Sequence, residues 1–415
     1  MRVALFTESY DPVINGVSTS VKTLAAELVR AGHEPVVVAP RYPGFEDDEG
    51  GSSAGDGIAV RRLPSWRTPL NPQNPFAFPP VGPLPGAYRG GGFSVVHTQQ
   101  PFGMGLHGLV CARRSDAALV STFHTLYQQY THYAPFAPAR LVRSIVSRHL
   151  RRYYAACDAV VVPSRAAGRV LEEIGVAPAL LHVVPTGVPA APAVMPAAVE
   201  QTRKSFSLPP RAPVLLYVGR VAREKSIDLL IDAFARVSVG RAGTDPATHP
   251  ILLIVGSGPG MGAARDHVRR AGMEAYIRFA GFLKRSHLAP VYAAATAFVF
   301  PSATETQGVV LSEAQSHGLP CVVVNGGGAP EFVRPDLDAL LVPPGDVAAF
   351  AAAIDRVLED DALRRAFAAA ALASPLRPTP EGMARQMMEL YRQVVRAPGS
   401  DRRPTSRAGE GGGEL

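Results

Sequence analysis

The chain has 415 residues, of which 47% are hydrophobic and 19% charged, a composition typical of folded globular proteins rather than disordered ones. At roughly 150 residues per domain, this length predicts two or three domains. The formal net charge is +7, and because no dense run of Lys and Arg is present, we expect no nucleic-acid partner.

The cysteines and the N-terminus argue against a disulfide-rich, zinc-binding or secreted protein. Cys111, Cys157 and Cys321 are widely spaced and odd in number, so we expect neither a disulfide framework nor a zinc site. No pair of histidines has metal-ligand spacing, and no metal site is predicted. The first strand turns polar at Thr7, too early for a signal peptide, and no run of about 18 apolar residues predicts a membrane-spanning helix.

The first half of the chain predicts a parallel sheet. Strand, helix and strand follow one another from residue 2 to residue 40, the repeating unit of a sheet covered by helices. Between residues 42 and 92, acidic, glycine-rich and proline-rich stretches predict long surface loops. Further apolar runs predict strands at 94–99, 118–124, 158–164 and 180–187.

The second half repeats this alternation after a Pro- and Ala-rich stretch, 188–211, that predicts an interdomain linker. The predicted fold class is therefore α/β, with two Rossmann-like, doubly wound parallel-sheet domains facing a cleft and ligands at the carboxyl ends of the strands. We predict a first domain over residues 1–187 and a second over 188–380. A C-terminal helix, 381–396, is expected to pack back on the first domain, and a disordered tail follows over 397–415.

Two glutamates mark the strongest motif, which spans residues 301–320. Glu305 follows a predicted strand, and Glu313 lies inside the next helix. Because carboxylates repel phosphate, this pair is expected to bind neutral hydroxyls, and two solvated glutamates are the alternative. The N–H groups that open the helix predict an anion site beside them; they belong to Gln307, Gly308 and Val309.

Two other loops carry groups that suit phosphate. Arg220 and Lys225 lie between a strand and a helix; Arg forks onto phosphate oxygens and Lys acts as a point charge. Asn15 and Gly16 lie at a helix N-terminus after the first strand, where glycine lets the backbone approach a ligand closely. Surface charge and an ordinary capping turn are the respective alternatives.

The glycine-rich turn GSGPG, residues 256–260, follows a predicted strand. It lacks the full dinucleotide-binding pattern and the acidic residue expected on the following strand. A closely packed turn and a nucleotide-facing turn both remain open.

His124 ends another predicted strand and precedes a cluster of polar aromatic residues. Such a cluster suits a hydroxyl-rich ligand or an interfacial surface, and a structural histidine is the alternative for His124. The cluster consists of Tyr127, Tyr130, His132 and Tyr133.

Residues 139–157 predict a basic amphipathic helix. At about 100° per residue, four arginines gather on one side and five apolar residues on the other. A basic patch of this kind is drawn to anionic lipid by about 1 kcal/mol per residue, and a solvated surface helix is the alternative. The two sets are Arg140, Arg143, Arg148 and Arg151, against Leu141, Val142, Ile145, Val146 and Tyr153.

Together these motifs resemble the retaining glycosyltransferases of family four, which have the two-domain GT-B fold. The resemblance spans about residues 1–395. Its most specific parts are the ETQGVVLSEA segment with its two glutamates and the GRVAREKS segment with its Arg and Lys. It implies a UDP- or GDP-sugar donor, no tightly bound cofactor and no required metal.

The resemblance also implies a role for each donor-site residue. Arg220 and Lys225 hold the diphosphate, with Gly16 near it, whereas the glycine that usually follows this lysine is Ser226 here. The leaving diphosphate is stabilised by fixed cations and helix N–H groups, without a protein nucleophile. Donor-sugar hydroxyls contact Glu305, the ribose contacts Glu313, the sugar contacts His124, and the base lies near Phe282 and Leu283.

The acceptor is implied by the resemblance of particular segments to two subgroups of this family. The aromatic cluster and ETQGVV are similar to the subgroup that glucosylates diacylglycerol, and the opening FTESYDPVINGVSTSV resembles bacterial mannosyltransferases acting on lipid or glycan acceptors. The favoured prediction is UDP-glucose and 1,2-diacylglycerol, with the acceptor on the N-terminal domain and the protein peripheral at the cytoplasmic face of an anionic membrane. GDP-mannose with another lipid-linked or glycan acceptor is the alternative.

An NAD-dependent oxidoreductase, a sugar-nucleotide epimerase and a non-catalytic membrane-binding protein remain as other classes.

Overall fold

The computed structural model describes residues 1–45, 58–68, 71–77, 92–127, 138–241, 243 and 245–395. In these ranges the chain forms two parallel sheets, each with apolar clusters on both faces beneath packed helices. The prediction of an α/β protein with two Rossmann-like parallel-sheet domains is confirmed.

The first sheet comes from the N-terminal half of the chain. The strands there are β1 (Arg2–Phe6), β2 (Glu34–Pro40), β3 (Ala59–Leu63), β4 (Ser65–Thr68), β5 (Asn71–Ala77), β6 (Val95–Thr98), β7 (Ala118–Thr122), β8 (Ala159–Val162) and β9 (Leu181–Val183). The helices are α1 (Gly16–Arg30), α2 (Met104–Ser115), α3 (Ala139–Tyr154) and α4 (Arg165–Glu173). Seven strands form one sheet in the order β3-β2-β1-β6-β7-β8-β9, and β4 pairs with β5 as an antiparallel hairpin. The central strands are buried along nearly their whole length because helices cover both faces.

The second sheet comes from the C-terminal half. Its strands are β10 (Val214–Val218), β11 (Ile251–Val255), β12 (Ile277–Gly281), β13 (Ala297–Phe300), β14 (Cys321–Val324) and β15 (Ala339–Val342). They are parallel, in the order β12-β11-β10-β13-β14-β15. The helices are α5 (Pro196–Ser205), α6 (Ile227–Val239), α7 (Met261–Arg270), α8 (Leu288–Ala294), α9 (Val309–Ser316), α10 (Val347–Glu359), α11 (Asp361–Leu372) and α12 (Pro380–Val394).

Two sequence predictions about irregular segments are wrong. The stretch 42–92, predicted as loops, contains β3, β4 and β5. These strands lie at edges, where arginines in β3 and prolines in β5 are tolerated, so they lack the apolar pattern of a buried strand. The predicted linker 188–211 contains α5, which begins with a proline at its first position.

The C-terminal helix α12 packs against α1 of the first domain. Met383, Met387 and Tyr391 join the apolar cluster beneath α1. The Tyr391 hydroxyl lies 2.7 Å from Nδ1 of buried His97, whose Nε2 lies 2.7 Å from Oγ1 of Thr122 at the end of β7. The last helix is therefore tied to the strand ends that face the cleft.

Candidate functional site

A cavity of about 770 Å³ lies between the two domains, at the carboxyl ends of their strands. Loops after β1, β7 and β8 line one wall, and loops after β10, β11, β12 and β13 line the other. All the predicted catalytic and donor-binding residues line it: Gly16, His124, Arg220, Lys225, Phe282, Leu283, Glu305, Gln307, Gly308, Val309 and Glu313.

The closest charged contact in the cavity joins Lys225 and Glu305. Lys225 ends a short 3₁₀ turn after β10, and its Nζ lies 2.5 Å from Oε1 of Glu305, which follows β13. The two side chains are only 14% and 18% exposed, so water screens their attraction weakly. A ligand that carries both phosphate and hydroxyl groups would meet an ammonium and a carboxylate at one point.

Arg220 lies on the same loop and is held through its backbone. The Tyr217 hydroxyl donates to the Arg220 carbonyl oxygen at 3.0 Å. The guanidinium Nη1 lies 3.6 Å from Oε1 of Glu224, whose side chain is 5% exposed and also lines the cavity. Glu224 was missed from the sequence, although its spacing of four residues from Arg220 was a usable signal.

The glycine-rich turn at 256–260 packs against the Arg220 loop. A Cβ atom on Gly256 would lie 1.8 Å from the Gly219 carbonyl oxygen, and one on Gly258 would lie 2.3 Å from that of Val221. Because only glycine permits this approach, the turn is closely packed. Gly256 and Gly258 also line the cavity.

Asn15 and Gly16 open α1 on the opposite wall. Asn15 caps the helix by a reciprocal pair of hydrogen bonds with Ser18, which makes this an ordinary capping box. Gly16 lines the cavity, and no atom lies within 4 Å of the position that a Cβ would take there. The cap therefore fixes the loop, and the glycine leaves space beside it.

His124 follows β7 on the same wall as Gly16. Its Nε2 lies 2.8 Å from Oε1 of Gln99, and with Nε2 as the donor, Nδ1 remains as an acceptor. Burial lowers the pKa of His124 to about 4, so the ring is neutral at pH 7. The His124 carbonyl oxygen accepts from Oγ1 of Thr306 at 3.1 Å, a contact between the two domains.

Glu313, on α9, is held by two donors. The Tyr292 hydroxyl donates to Oε2 at 3.0 Å, and Nη2 of Arg285 lies 2.8 Å from Oε1. Arg285 also donates to Oγ1 of Thr19 across the cavity at 3.2 Å. Phe282, three residues before Arg285, is 55% exposed and lines the same end of the cavity. Arg285 was not predicted from the sequence.

The helix α9 begins one or two residues later than the sequence predicts. Gly308 is its N-cap, with a left-handed φ of +83°, and Val309 is its first residue. Gln307, whose backbone N–H was predicted to help open the helix, therefore precedes it, and its side chain bonds the backbone of Thr186. Its Oε1 accepts from Thr186 N at 2.8 Å, and its Nε2 donates to Thr186 O at 2.9 Å. Gln307 therefore joins the two domains through buried hydrogen bonds.

The predicted acceptor residues that the structure describes do not line the cavity. Tyr127 packs on Phe102 and Phe123, with ring centroids 5.1 and 6.4 Å away, and does not line the cavity. Three further members of the aromatic cluster lie outside the described residues: Tyr130, His132 and Tyr133.

The basic helix α3 exposes more apolar surface than its helical pattern indicates. Leu141 and Ile145 are 53% and 60% exposed, although the sequence places them on the apolar side. Its last two turns bury Leu150, Tyr153 and Tyr154 in the domain core, whereas the first turns extend beyond it. The predicted basic residues are all exposed: Arg140, Arg143, Arg148 and Arg151.

Metal-ligating clusters and membrane-spanning helices are both absent from the described ranges. No three His, Cys, Asp or Glu side chains there are grouped so that they could hold a metal ion. No helix in those ranges has the length and apolar character needed to cross a bilayer.

Comparison with known proteins matches both halves of the chain to glycosyltransferase families. The family model described as Glycosyltransferase Family 4 matches residues 14–191, and the one described as Glycosyl transferases group 1 matches residues 212–360.

Three known proteins illustrate the similarity. A GDP-mannose-dependent alpha-mannosyltransferase of Mycobacterium tuberculosis is 31% identical, over 83% of this chain and 85% of the relative. An alpha-monoglucosyldiacylglycerol synthase of Streptococcus pneumoniae is 28% identical, over 78% of this chain and 70% of the relative. The solved structure of HepE from Anabaena in complex with UDP shares the fold, with a TM-score of 0.73 at 18% identity, covering 95% of this chain and all of that one.

Proposed function

The chain belongs to glycosyltransferase family 4, and from this premise we propose that it transfers glucose from UDP-glucose to 1,2-diacylglycerol with retention of configuration. The observation that carries the proposal is the contact between Lys225 and Glu305 in the cleft. A nucleotide sugar has phosphate and hydroxyl groups a few bonds apart, and the contact offers one partner for each.

In the proposed donor complex, the diphosphate lies against Arg220 and Lys225. The first turn of α9 faces the same space with the positive end of its dipole. The nucleoside extends toward Phe282 and Leu283, and the ribose hydroxyls reach Glu313. To bind there, the ribose exchanges with the Arg285 guanidinium that contacts this carboxylate.

The proposed reaction needs no protein nucleophile. The bond between the sugar C1 and the diphosphate oxygen breaks, and its electron pair leaves with the diphosphate. The acceptor hydroxyl oxygen attacks C1 on the same face, and its proton passes to the departing phosphate oxygen. Arg220, Lys225 and the helix N–H groups stabilise the developing charge, which is electrostatic preorganisation, and we propose that no metal ion is required.

His124 completes the site from the N-terminal wall. Because its ring is neutral and Nε2 is bonded to Gln99, Nδ1 can accept a hydrogen bond from a sugar hydroxyl. This supports a position for His124 beside the sugar, opposite Glu305, where we expect it to orient the transferred group.

A lipid acceptor is supported by α3. Leu141 and Ile145 are exposed beside the arginines of this helix, an arrangement that favours binding in the interface of an anionic membrane. A relative from Streptococcus pneumoniae is named an alpha-monoglucosyldiacylglycerol synthase. We propose peripheral attachment at the cytoplasmic face of the membrane, with the N-terminal domain toward the lipid.

A second candidate is GDP-mannose with another lipid-linked or glycan acceptor. It is favoured by the extent of the match to GDP-mannose-dependent alpha-mannosyltransferases. The relative from Mycolicibacterium smegmatis is 29% identical over 95% of this chain and 98% of its own length. The two candidates differ in base and sugar but use the same diphosphate site.

A donor screen distinguishes the candidates. The full chain is incubated with UDP-glucose, UDP-galactose or GDP-mannose and with vesicles of diacylglycerol in anionic phospholipid, and the anomeric configuration of any product is read by NMR. We expect an α-glucoside from UDP-glucose. Mannose transfer would select the second candidate. Thermal stabilisation by NAD but by neither UDP nor GDP would contradict both.

A further inference from the structure

The Glu331 carboxylate accepts hydrogen bonds that join the second domain to the first. It lies in the 3₁₀ turn Ala329–Phe332 after β14. Its Oε2 accepts from the backbone N–H of Arg165 at 2.9 Å, and its Oε1 accepts from that of Ala166 at 2.7 Å. Arg165 and Ala166 are the first two residues of α4, so one carboxylate caps a helix of the opposite domain.

The start of α4 is thus completed by both domains. Its own N-cap, Ser164, accepts from the N–H of Ala167 at 3.1 Å, and Glu331 accepts from the two N–H groups before it. A carboxylate that receives two backbone N–H groups at the positive end of a helix dipole makes a strong, charge-assisted contact. The contact exists only while the domains are close, because separation returns those N–H groups to water.

The segment that carries Glu331 also holds the backbone of Glu305. The N–H of Gly328 donates to the Glu305 carbonyl oxygen at 2.7 Å. A Cβ on Gly327 would lie 2.5 Å from that oxygen, and one on Gly328 would lie 2.2 Å from the Thr306 carbonyl oxygen, so only glycine lets the two loops pack this closely.

The same loop is also bound to the first domain near His124. Oγ1 of Thr306 donates to the His124 carbonyl oxygen, as described above. The order of contacts is therefore α4, Glu331, the glycine run, the loop that bears Glu305, and His124. Both ends of this series lie in the N-terminal domain, and its middle carries the carboxylate that pairs with Lys225.

We propose that Glu331 is a positioning residue for sugar transfer. By capping α4 across the cleft, it holds the closed arrangement in which Glu305 faces His124. The proposal rests on the proposed glycosyltransferase function, because only a transferred sugar needs both residues at once. Glu331 does not line the cavity and is expected to act only through domain closure.

The test compares Glu331→Ala, Glu331→Asp and Glu331→Gln with Glu172→Ala, which removes an exposed carboxylate from α4 itself. Four quantities are measured in the full chain: Kd for UDP or GDP, kcat and KM for transfer from the nucleotide sugar, and the radius of gyration by small-angle scattering with UDP or GDP bound. Amide exchange reports directly on the N–H groups of Arg165 and Ala166.

For Glu331→Ala we expect kcat to fall about 10- to 100-fold, the size of a misplacement effect, while nucleotide Kd stays unchanged because the phosphate site is intact. The radius of gyration with nucleotide bound should increase, and amide exchange at Arg165 and Ala166 should accelerate. Glu331→Asp and Glu331→Gln, which each keep an acceptor oxygen, should recover part of kcat, and Glu172→Ala should match the wild type.

An unchanged radius of gyration in Glu331→Ala would overturn the proposal. So would a loss of nucleotide affinity in parallel with thermal stability, which would indicate a merely structural role. If the wild type transfers no sugar from any donor, the proposed function fails instead, and scattering and amide exchange still decide whether Glu331 holds the domains together.

Discussion

The two walls of the cleft differ in charge. The C-terminal wall supplies every Asp, Glu, Lys and Arg that lines the cavity within the described ranges: Arg220, Glu224, Lys225, Arg285, Glu305 and Glu313. The N-terminal wall supplies apolar, glycine and neutral polar residues, together with His124, whose ring is neutral at pH 7. Charge is thus concentrated in one domain, where we propose that a donor binds before the cleft closes.

The charges of the C-terminal wall also contact one another. Lys225 pairs with Glu305, and Arg285 with Glu313, at 2.5 and 2.8 Å. In the donor complex that we propose, the donor replaces these contacts with its own, and the ion pairs hold the side chains in the cavity before it binds. Substitutions on this wall should therefore change donor binding and chemistry, and substitutions on the other should change closure and acceptor delivery.

The largest effect should come from breaking the Lys225–Glu305 contact. We expect Lys225→Ala and Glu305→Gln each to lower kcat by about 10²- to 10³-fold, the loss seen when one preorganised group is removed from a charged transition state. Transfer from radiolabelled UDP-glucose measures the rate, and Glu274→Gln on the exposed surface of the same domain is the control. Normal turnover in Glu305→Gln would remove that residue from the reaction.

A smaller effect, on membrane binding, should follow substitutions in α3 on the outer face of the N-terminal domain. Leu141→Asp with Ile145→Asp should weaken binding to anionic vesicles by about 10-fold or more, since burying such a side chain contributes about 1.5–3 kcal/mol. Vesicle co-sedimentation measures this, and Val239→Asp, at a residue 68% exposed in the other domain, is the control. Equal binding by all variants would exclude α3 from membrane contact.

The ribose position gives a comparison within the cleft. Glu313→Gln should weaken the Kd for UDP by about 10-fold, because a hydrogen bond to a charged group contributes about 1.5–3 kcal/mol. Thr19→Val, which removes the partner of Arg285 on the opposite wall, should leave this Kd unchanged. Calorimetric titration measures both, and an equal loss in the two variants would contradict the assignment of nucleotide binding to one wall.

The sequence located most strands of both sheets because their apolar runs and glycine-marked ends are local signals, but it did not predict the short edge strand β15. It located Lys225 and Glu305 on loops that each follow a strand, and the structure shows that those two strands, β10 and β13, are neighbours in the sheet. Edge strands β3 to β5 were missed, because their arginines and prolines carry no such pattern.

Contacts between the domains could not be predicted in the same way. Gln307 and Thr186 are 121 residues apart, and Glu331 and Ala166 are 165 apart. Each contact joins a side chain to backbone polar groups, which nearly every residue has, so the sequence does not indicate which residue is the partner. The exposure of Leu141 and Ile145 could not be predicted either, because helical periodicity does not show where a helix extends beyond its domain.

The neutral histidines of the N-terminal domain predict a pH dependence of stability. Burial lowers the pKa of His97 to about 3 and that of His124 to about 4, below the value of about 6.5 in an unfolded chain. The unfolded state therefore binds more protons in this range. Stability should be fully present above about pH 6.5 and fall as the pH drops, by up to about 1.4 kcal/mol per pH unit for each histidine.

Urea unfolding at pH 7 and pH 5 tests this dependence, with His97→Asn as the variant. We expect the free energy of unfolding to fall less between the two pH values in His97→Asn than in the wild type, although it is lower at pH 7 because the bonds to Tyr391 and Thr122 are weakened. An equal fall in the free energy of unfolding in both proteins would show that His97 is not the titrating group.

The smallest effect is expected on the free energy of unfolding, from a substitution at Ser226, next to Lys225 on the charged wall. Ser226 has a left-handed φ of +51°, which costs a residue with a side chain about 1–2 kcal/mol. Ser226→Gly relieves this strain but gives the unfolded chain more freedom, worth about 0.4–1 kcal/mol, so a net stabilisation of about 1 kcal/mol or less is expected.

Ser144→Gly in the interior of α3, where no such strain exists, should instead destabilise by about 0.5–1 kcal/mol. Urea unfolding compares the two variants, and destabilisation by Ser226→Gly as large as that of Ser144→Gly would contradict the assignment of strain. Because the glycine keeps Lys225 in place, transfer should continue at the wild-type rate. A loss of kcat in the stabilised variant would mean that the serine contributes to the charged wall beyond its backbone conformation.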